Sequence, residues 1–187
     1  MGMAELVERW TREQVLALPD DGNRYELVDG ELLVSPSPRM LHQRGVRTLF
    51  RAIDAHVECY RLGEALSSPS DLDLRDSQLV QPDIFVVGYG PAERPEDWSE
   101  VGVPILVVEV LSPSTARYDR TLKRRLYQRT GVPEYWIVDL DARLVERWRP
   151  DDDRPEILTD QLTWSPAGSA DPLVLRLPEI FTAVIEG

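Results

Sequence analysis

The clearest alternation of apolar and polar residues lies between Arg24 and Ser35, on both sides of Asp29-Gly30. Such alternation is typical of a half-buried strand, and Asp-Gly is favoured in the two-residue turn of a hairpin. The pattern therefore predicts a β-hairpin over residues 24–35. Before it, Thr11-Arg12-Glu13-Gln14 has the form of a capping box and predicts a short helix that ends near Leu18.

A longer segment, from Pro38 to Tyr60, carries apolar residues at helical spacing. The repeating positions are Leu41, Val46, Leu49, Phe50, Ile53 and Val57. Because residues three and four apart share one face of a helix, the segment is predicted to be a long amphipathic helix. Gly63 is its expected C-terminal cap, since glycine readily adopts the left-handed conformation.

Two nearly continuous apolar runs follow, from Leu79 to Val87 and from Pro104 to Leu111. Runs of this kind are expected of central strands that are covered on both faces. The shorter and more polar segments Glu64 to Ser67 and Asp71 to Leu74 suit edge strands. Tyr89 to Val101, between the two runs, is a proline-rich acidic loop.

The second half of the chain predicts a helix, a buried strand and a returning strand. The helix covers Asp119 to Thr130 with Gly131 as its stop, and the strands cover Glu134 to Asp139 and Leu144 to Trp148. In the tail, residues 150–187 predict short strands near 158 and 173–175 and a helical turn over 178–184. The 187 residues therefore predict a single α/β domain.

Two carboxylates interrupt the two most apolar runs. Asp83 lies in the first run and Glu109 in the second, and neither run contains a lysine or an arginine. An unpaired buried carboxylate costs several kcal/mol, so each needs a partner. A hard divalent cation, Mg²⁺ or Mn²⁺, would satisfy both carboxylates, because such ions prefer oxygen ligands. Alternatively, each carboxylate caps a turn or pairs with an arginine from another element.

Two further residues complete a candidate site. Glu26 faces away from Tyr25 and Leu27 in the hairpin, which makes it a third possible metal ligand or a solvent-facing residue. Lys123 lies at the edge of the apolar stripe of its helix, from which it could reach a cleft. Its spacing from Asp119 would equally suit an ordinary surface ion pair.

These residue types suit phosphodiester hydrolysis. Asp83 and Glu109 would hold the metal ion, and Glu26 would complete its ligands or align a water molecule. Lys123 would stabilise developing negative charge or orient the nucleophile. Ser112, Ser114 and Thr115 are expected to shape a helix start rather than to act as nucleophiles.

Several segments of the chain together resemble the Uma-two family of putative restriction endonucleases, which belongs to the PD-(D/E)XK nuclease superfamily. The matching segments, in family order, are Tyr25 to Leu32, Pro82-Asp83, Val107 to Thr115, Asp119 with Lys123 and Tyr127, and Gly131 to Asp139. The resemblance covers about residues 24–148 of the single domain, 1–187. The whole set is specific, whereas Pro-Asp alone would carry almost no information.

The resemblance implies a restriction-endonuclease-like fold, with a central mixed β-sheet flanked by helices. It also implies that Glu26, Asp83 and Glu109 are acidic site residues of a Mg²⁺-dependent endonuclease that acts on DNA. One departure is notable, because the superfamily lysine expected two residues after the second acid falls at Leu111. The resemblance implies that Lys123 replaces it.

Composition limits the possible partners. The net charge of −12, from 33 acidic and 21 basic residues, argues against a broadly basic coat for nucleic acid. Local basic residues on two helices could contact phosphates or could simply be solvated; they are Arg44, Arg47, Arg51, Arg117, Arg120, Lys123, Arg124, Arg125 and Arg129.

The remaining expectations concern single residues. His42 is a candidate for the cleft, His56 is expected at the surface or rim, and Tyr135 and Trp136 are expected in the core. Cys59, the lone cysteine, is expected to be a small buried apolar residue, which suits a reducing compartment.

Location and assembly complete the expectations. Residues 1–9 lack the pattern of a signal peptide and no apolar run could span a bilayer, so a cytoplasmic protein without membrane association is expected. A homodimer is possible, since two sites would cut both strands of DNA. Two alternatives stay open: an inactive nuclease-fold protein that binds nucleic acid or protein, and a hydrolase of small phosphoesters.

Overall fold

The computed structural model describes residues 9–74, 78–90 and 93–187. Within these residues the chain forms twelve strands and five α-helices. The strands are β1 (Arg24–Val28), β2 (Glu31–Ser35), β3 (Gly63–Ser67), β4 (Leu72–Leu74), β5 (Gln78–Val80), β6 (Ile84–Gly88), β7 (Leu106–Val110), β8 (Tyr135–Asp139), β9 (Leu144–Trp148), β10 (Glu156–Leu158), β11 (Gln161–Trp164) and β12 (Leu173–Arg176). The helices are α1 (Arg12–Leu16), α2 (Met40–Tyr60), α3 (Ala116–Tyr118), α4 (Arg124–Thr130) and α5 (Leu177–Ile185), with a 3-10 turn at Trp98–Glu100 and a π-helical turn at Asp119–Lys123.

The central sheet has six strands in the order β10-β9-β8-β7-β6-β3. β7 and β8 are parallel, whereas the other neighbouring pairs are antiparallel. A second sheet has the antiparallel order β2-β1-β5-β4, and β11 pairs with β12. The predicted α/β fold with a central mixed sheet is therefore confirmed, as are the edge positions of β3 and β4.

The two faces of the central sheet bury different sets of residues, because side chains alternate along each strand. Val86 and Val108 pack towards α2 and α5, in a core that also includes β11 and β12. Phe85 and Val107 pack on the opposite face, towards α4 and the second sheet. The candidate site lies on this second face.

The apolar run from Leu79 to Val87 is not one strand, as the sequence predicted. It breaks at Gln81-Pro82-Asp83 into β5, which belongs to the second sheet, and β6, which belongs to the central sheet. Proline has no amide proton to donate to a strand ladder, which suits it to this crossing point. The prediction was wrong because burial in two different sheets gives one continuous apolar pattern.

The turns of the first half confirm most sequence predictions. The capping box at Thr11 is formed, and Asp29 and Gly30 adopt φ values of 54° and 80° at the tip of the hairpin. The cap of α2 was predicted wrongly, since Arg61 and not Gly63 takes the left-handed conformation there. Gly63 begins β3, where a Cβ atom would lie 1.9 Å from the carbonyl oxygen of Val87.

The helix predicted from Asp119 begins earlier, with α3, and contains the π-helical turn before α4. Gly131 ends it in the left-handed conformation, as predicted. In the tail, β10, β12 and α5 confirm the predicted elements, whereas β11 was missed. Cys59 is exposed, which contradicts its predicted burial.

Across the described residues, no helix is long and apolar enough to cross a membrane. The expectation of a cytoplasmic protein also used residues 1–9, of which residues 1–8 lie outside the described part of the chain.

Candidate active site

Asp83 and Glu109 lie side by side on the face of the central sheet that contacts α4. Ile84 pairs with Val108 in the antiparallel register of β6 and β7, so Asp83 continues that register opposite Glu109. Asp83 is 3% exposed and Glu109 is 1% exposed. The backbone amide of Asp83 lies 3.4 Å from Glu109 Oε2, which places both carboxylates in one buried cluster.

Lys123 joins this cluster from the π-helical turn. Its Nζ atom lies 2.8 Å from Glu109 Oε1 and 2.8 Å from Glu26 Oε1. Tyr127, one turn further along the helix, donates its hydroxyl to Glu109 Oε1 at 3.3 Å. The lysine, which the sequence placed four residues from Asp119, is therefore inside the protein and not in a surface ion pair.

Glu26 reaches the cluster from β1. Its Oε1 atom accepts a hydrogen bond of 2.8 Å from the backbone amide of Gln81, at the break between β5 and β6. Its Oε2 atom is buried without a hydrogen-bond partner. The solvent-facing alternative for Glu26 is therefore wrong, because the residue is 1% exposed.

Asp119 is a fourth buried carboxylate. The sequence analysis considered it only as the partner of Lys123 in a surface ion pair. Its Oδ1 atom lies 3.7 Å from Lys123 Nζ and has no hydrogen-bond partner. Both residues lie in the π-helical turn, a type of helix distortion that recurs at functional sites. The matching family segment was the only signal in the sequence that separated Asp119 from a surface residue.

Asp83 is held by groups from three other elements. Arg24 Nη1 donates to Oδ1 at 3.1 Å, and the backbone amide of Val110 donates to Oδ2 at 2.8 Å. His42 Nε2 lies 3.0 Å from the same Oδ2 atom, within hydrogen-bond distance. The alternative of an arginine partner from another element thus holds for Asp83.

Arg24 was missed by the sequence analysis, and His42 was only a candidate. Arg24 Nε also lies 3.6 Å from Glu26 Oε2, so its guanidinium contacts two of the carboxylates. Residues two apart point to the same side of a strand, and this spacing in β1 was the available signal for Arg24.

We use the name carboxylate cluster for these six residues: Glu26, Asp83, Glu109, Asp119, Arg24 and Lys123. Its four carboxylates face two cations, so negative charge is in excess when all of them are ionised.

The excess of carboxylates over cations shifts the pKa values of the cluster. Burial, together with the neighbouring carboxylates, raises the pKa of Glu109 to about 8 despite the charge of Lys123. Burial likewise raises the pKa of Asp119 to about 6.

Two other members of the cluster shift in the direction of their charged forms. Burial would lower the pKa of Lys123, but the charges of Glu109, Glu26 and Asp119 outweigh it and raise the value. Burial opposes ionisation of Asp83, but the bond to His42 and the charge of Arg24 lower its pKa overall. The cluster therefore keeps Lys123 and Asp83 ionised, whereas Glu109 readily holds a proton.

A cleft of about 580 Å³ opens above Asp83. Arg24, His42 and Asp83 line it, together with the segments 35–39 and 112–115. Glu26, Glu109 and Lys123 are each 1% exposed and lie behind this lining. Asp83 is therefore the carboxylate through which the cluster meets the cleft.

The donor chemistry of the cluster fits a hard divalent ion. Glu26, Asp83 and Glu109 offer carboxylate oxygens, one of which is buried without a hydrogen-bond partner, and the cluster holds more carboxylates than cations. Within the described residues, no three His, Cys, Asp or Glu side chains are arranged around a common point as metal ligands. Arg24 and Lys123 instead contact these oxygens directly.

Other sequence expectations had mixed outcomes. Tyr135 and Trp136 are buried in the core, as predicted. His56 was predicted at the surface or rim, but it is 8% exposed, and Ser169 Oγ lies 3.1 Å from its Nε2 atom. The prediction failed because the tail folds over α2, which helical periodicity cannot show.

The basic residues of the two helices separate into two groups. Arg44, Arg47 and Arg51 on α2 are exposed, as are Arg117 and Arg125. Arg129 forms an ion pair with Asp29. Arg120 binds Glu146 and Asp139, whereas Arg124 stacks over Trp148.

Comparison with known proteins identifies a family and a fold. The family model for Uma2, described as a putative restriction endonuclease, matches residues 12–178. An uncharacterized protein of Synechocystis, sll1609, is 27% identical over 137 residues, which are 72% of this chain and 77% of that protein. The crystal structure of a putative nuclease of the family DUF820 from Anabaena variabilis has a TM-score of 0.75 at 22% identity, with 94% of this chain and 99% of that chain covered.

Proposed function

Because this chain belongs to the Uma2 family of putative restriction endonucleases, we propose that it is a Mg²⁺- or Mn²⁺-dependent endonuclease that hydrolyses phosphodiester bonds of DNA. The observation that supports this proposal best is the burial of Glu26, Asp83 and Glu109 in one cluster beneath an open cleft, with Lys123 between Glu26 and Glu109 and Arg24 between Glu26 and Asp83. Four buried carboxylates beside two cations cost stability, and such an arrangement is typical of sites that serve chemistry.

In this proposal Asp83 and Glu109 hold the metal ion, and Glu26 contributes a further oxygen. The ion, when bound, would lower the pKa of a water molecule and withdraw charge from the phosphate. Lys123 keeps Glu26 and Glu109 oriented through its two contacts of 2.8 Å and supplies positive charge near the reacting phosphate. His42 and the amide of Val110 fix the direction of the Asp83 carboxylate.

The test is a nuclease assay on plasmid DNA with Mg²⁺, with Mn²⁺ and with EDTA. We expect cleavage only with metal, and a loss of roughly 10²–10³-fold in Asp83→Asn. Asp139→Asn is the matched control, because Asp139 also binds an arginine and a backbone amide, away from the cluster. Cleavage by Asp83→Asn at the rate of the control would refute the mechanism.

DNA as substrate and a homodimer are parts of the same proposal. Two copies could each cut one strand of a duplex. Single-strand nicks from a monomer, and double-strand breaks from a dimer, are distinguishable on an agarose gel after the mass in solution is measured by light scattering.

A non-catalytic protein that binds nucleic acid or a protein partner is the second candidate. The observation in its favour is that Arg24 and Lys123 already contact the carboxylates that would hold a metal ion. DNA binding without cleavage, combined with no saturable binding of Mn²⁺, would support it over the endonuclease.

A further inference from the structure

Arg24 occupies the boundary between the cleft and the carboxylate cluster. Its guanidinium contacts Asp83 at 3.1 Å, Glu26 at 3.6 Å and the backbone carbonyl of Gln81 at 3.0 Å. The side chain is 18% exposed and lines the cleft, whereas Glu26, behind it, is 1% exposed. Arg24 is thus the cation of the cluster that a ligand in the cleft would contact first.

The contacts of Arg24 conflict with metal binding. Its Nη1 atom donates to Asp83 Oδ1, while Oδ2 is already engaged by Val110 and His42. An oxygen that accepts a hydrogen bond from a guanidinium is less available to a cation, and the positive charge repels the ion. Lys123 lies deeper, against Glu109, Glu26 and Asp119, so it does not bind the oxygens of Asp83.

We propose that Arg24 is the internal counter-cation of Asp83 and Glu26 in the metal-free protein, and that it turns to a phosphate in the cleft when a divalent ion binds. It is then a positioning residue for substrate and an internal competitor of the metal ion. An arginine suits both partners, because its planar donors match carboxylate and phosphate oxygens equally well. The inference rests on the proposed function, since it assumes that the cluster binds metal.

Calorimetric titration of the full chain with Mn²⁺, without nucleic acid, tests the competition. We expect Arg24→Gln to bind Mn²⁺ about tenfold more tightly or better, since a nearby positive charge has been removed. Arg39→Gln is the matched control, because Arg39 lines the same cleft and is exposed. Its affinity for Mn²⁺ should stay within about twofold of the original value, as expected for a screened surface charge.

Equal or weaker binding of Mn²⁺ by Arg24→Gln would overturn the inference. If this variant does not fold in EDTA, thermal unfolding with added Mn²⁺ decides: restored folding supports competition, and no restoration refutes it. Arg24→Lys provides an independent test, because lysine keeps the charge but cannot donate as a planar fork. Its affinity for Mn²⁺ should stay closer to that of the unchanged chain than to that of Arg24→Gln, and an affinity equal to that of Arg24→Gln contradicts competition by the positive charge.

The role towards phosphate has a separate readout. With saturating Mn²⁺, Arg24→Gln should raise KM for DNA about tenfold with a smaller change in kcat, and Arg24→Lys should restore part of the loss. A loss in kcat alone would refute phosphate positioning. Cleavage of DNA by the unchanged chain, with unchanged Mn²⁺ affinity in Arg24→Gln, refutes this inference and leaves the proposed function standing. Absence of Mn²⁺ binding in all variants refutes both.

Discussion

Two ionic clusters border the helical segment that begins with α3, and they differ in depth and in charge balance. In the outer cluster, Arg120 binds Glu146 at 2.6 Å and Asp139 at 3.1 Å, and the arginine side chain is 39% exposed. In the carboxylate cluster, four carboxylates meet two cations, and the side chain of Lys123 is 1% exposed.

The difference shows what each cluster contributes. Arg120 is 39% exposed, so water can solvate the outer cluster when a contact is lost, although Glu146 itself is buried, and a partly exposed ion pair of this kind stabilises the fold slightly. Water cannot reach Lys123, and the excess of carboxylates around it costs stability. A fold retains such an excess where it serves chemistry, which is why only the carboxylate cluster is a candidate active site.

Removal of Lys123 should give the largest difference in stability between the two clusters. We expect Lys123→Met to lower the free energy of unfolding by about 3–5 kcal/mol, because Glu26 would stay buried without this counter-charge and Glu109 would lose its contact of 2.8 Å with the ammonium group. Arg120→Met should cost less, about 1–2 kcal/mol, because water can enter beside the partly exposed arginine and solvate its partners, even though Glu146 is buried. Urea denaturation at neutral pH in EDTA gives both values, and similar losses would show that the clusters are equivalent.

The pH dependence of stability should also distinguish the carboxylate cluster from a surface ion pair. The pKa of Glu109 is raised from 4.5 to about 8, so the folded protein binds this proton more tightly than the unfolded chain. Its contribution to stability is complete below pH about 4.5 and is lost as the pH rises through about 8.

Glu109→Gln removes that contribution. The stability of the unchanged protein, relative to the variant, should therefore fall by a few kcal/mol between pH 5 and pH 8.5, which guanidinium titrations at several pH values measure. Glu156→Gln is the control, because Arg147 lowers the pKa of Glu156, so this carboxylate is ionised in both the folded and the unfolded chain above pH about 5 and its curve should stay parallel to that of the unchanged protein. A Glu109→Gln curve that is also parallel would contradict the raised pKa.

The smallest expected effect concerns the position of the lysine. Leu111 lies two residues after Glu109 and is half-buried near α4. In the Lys123→Met background, Leu111→Lys should restore about 1–2 kcal/mol, the value of a hydrogen bond to a charged group. Leu122→Lys in the same background adds the same charge at another half-buried leucine and should restore nothing. Equal stability of the two double variants would show that position 111 cannot replace Lys123.

Local patterns predicted the elements where one physical cause dominates. The hairpin at Asp29-Gly30 and the helix stop at Gly131 follow from left-handed backbone conformations, which few residues adopt easily. The strand break at Pro82 and the strand β11 were not predicted, because an apolar run does not reveal which sheet covers it. The buried state of His56 depends in the same way on a distant segment.

The sequence by itself determined that Asp83 and Glu109 are buried, because they interrupt two strongly hydrophobic runs. Only the tertiary structure decided their partners. The register of β6 against β7 places the two carboxylates opposite each other, the hairpin brings Glu26 and Arg24, and the π-helical turn brings Lys123. These contacts join residues far apart in the chain, and the free energy of packing whole elements, not local periodicity, selects them.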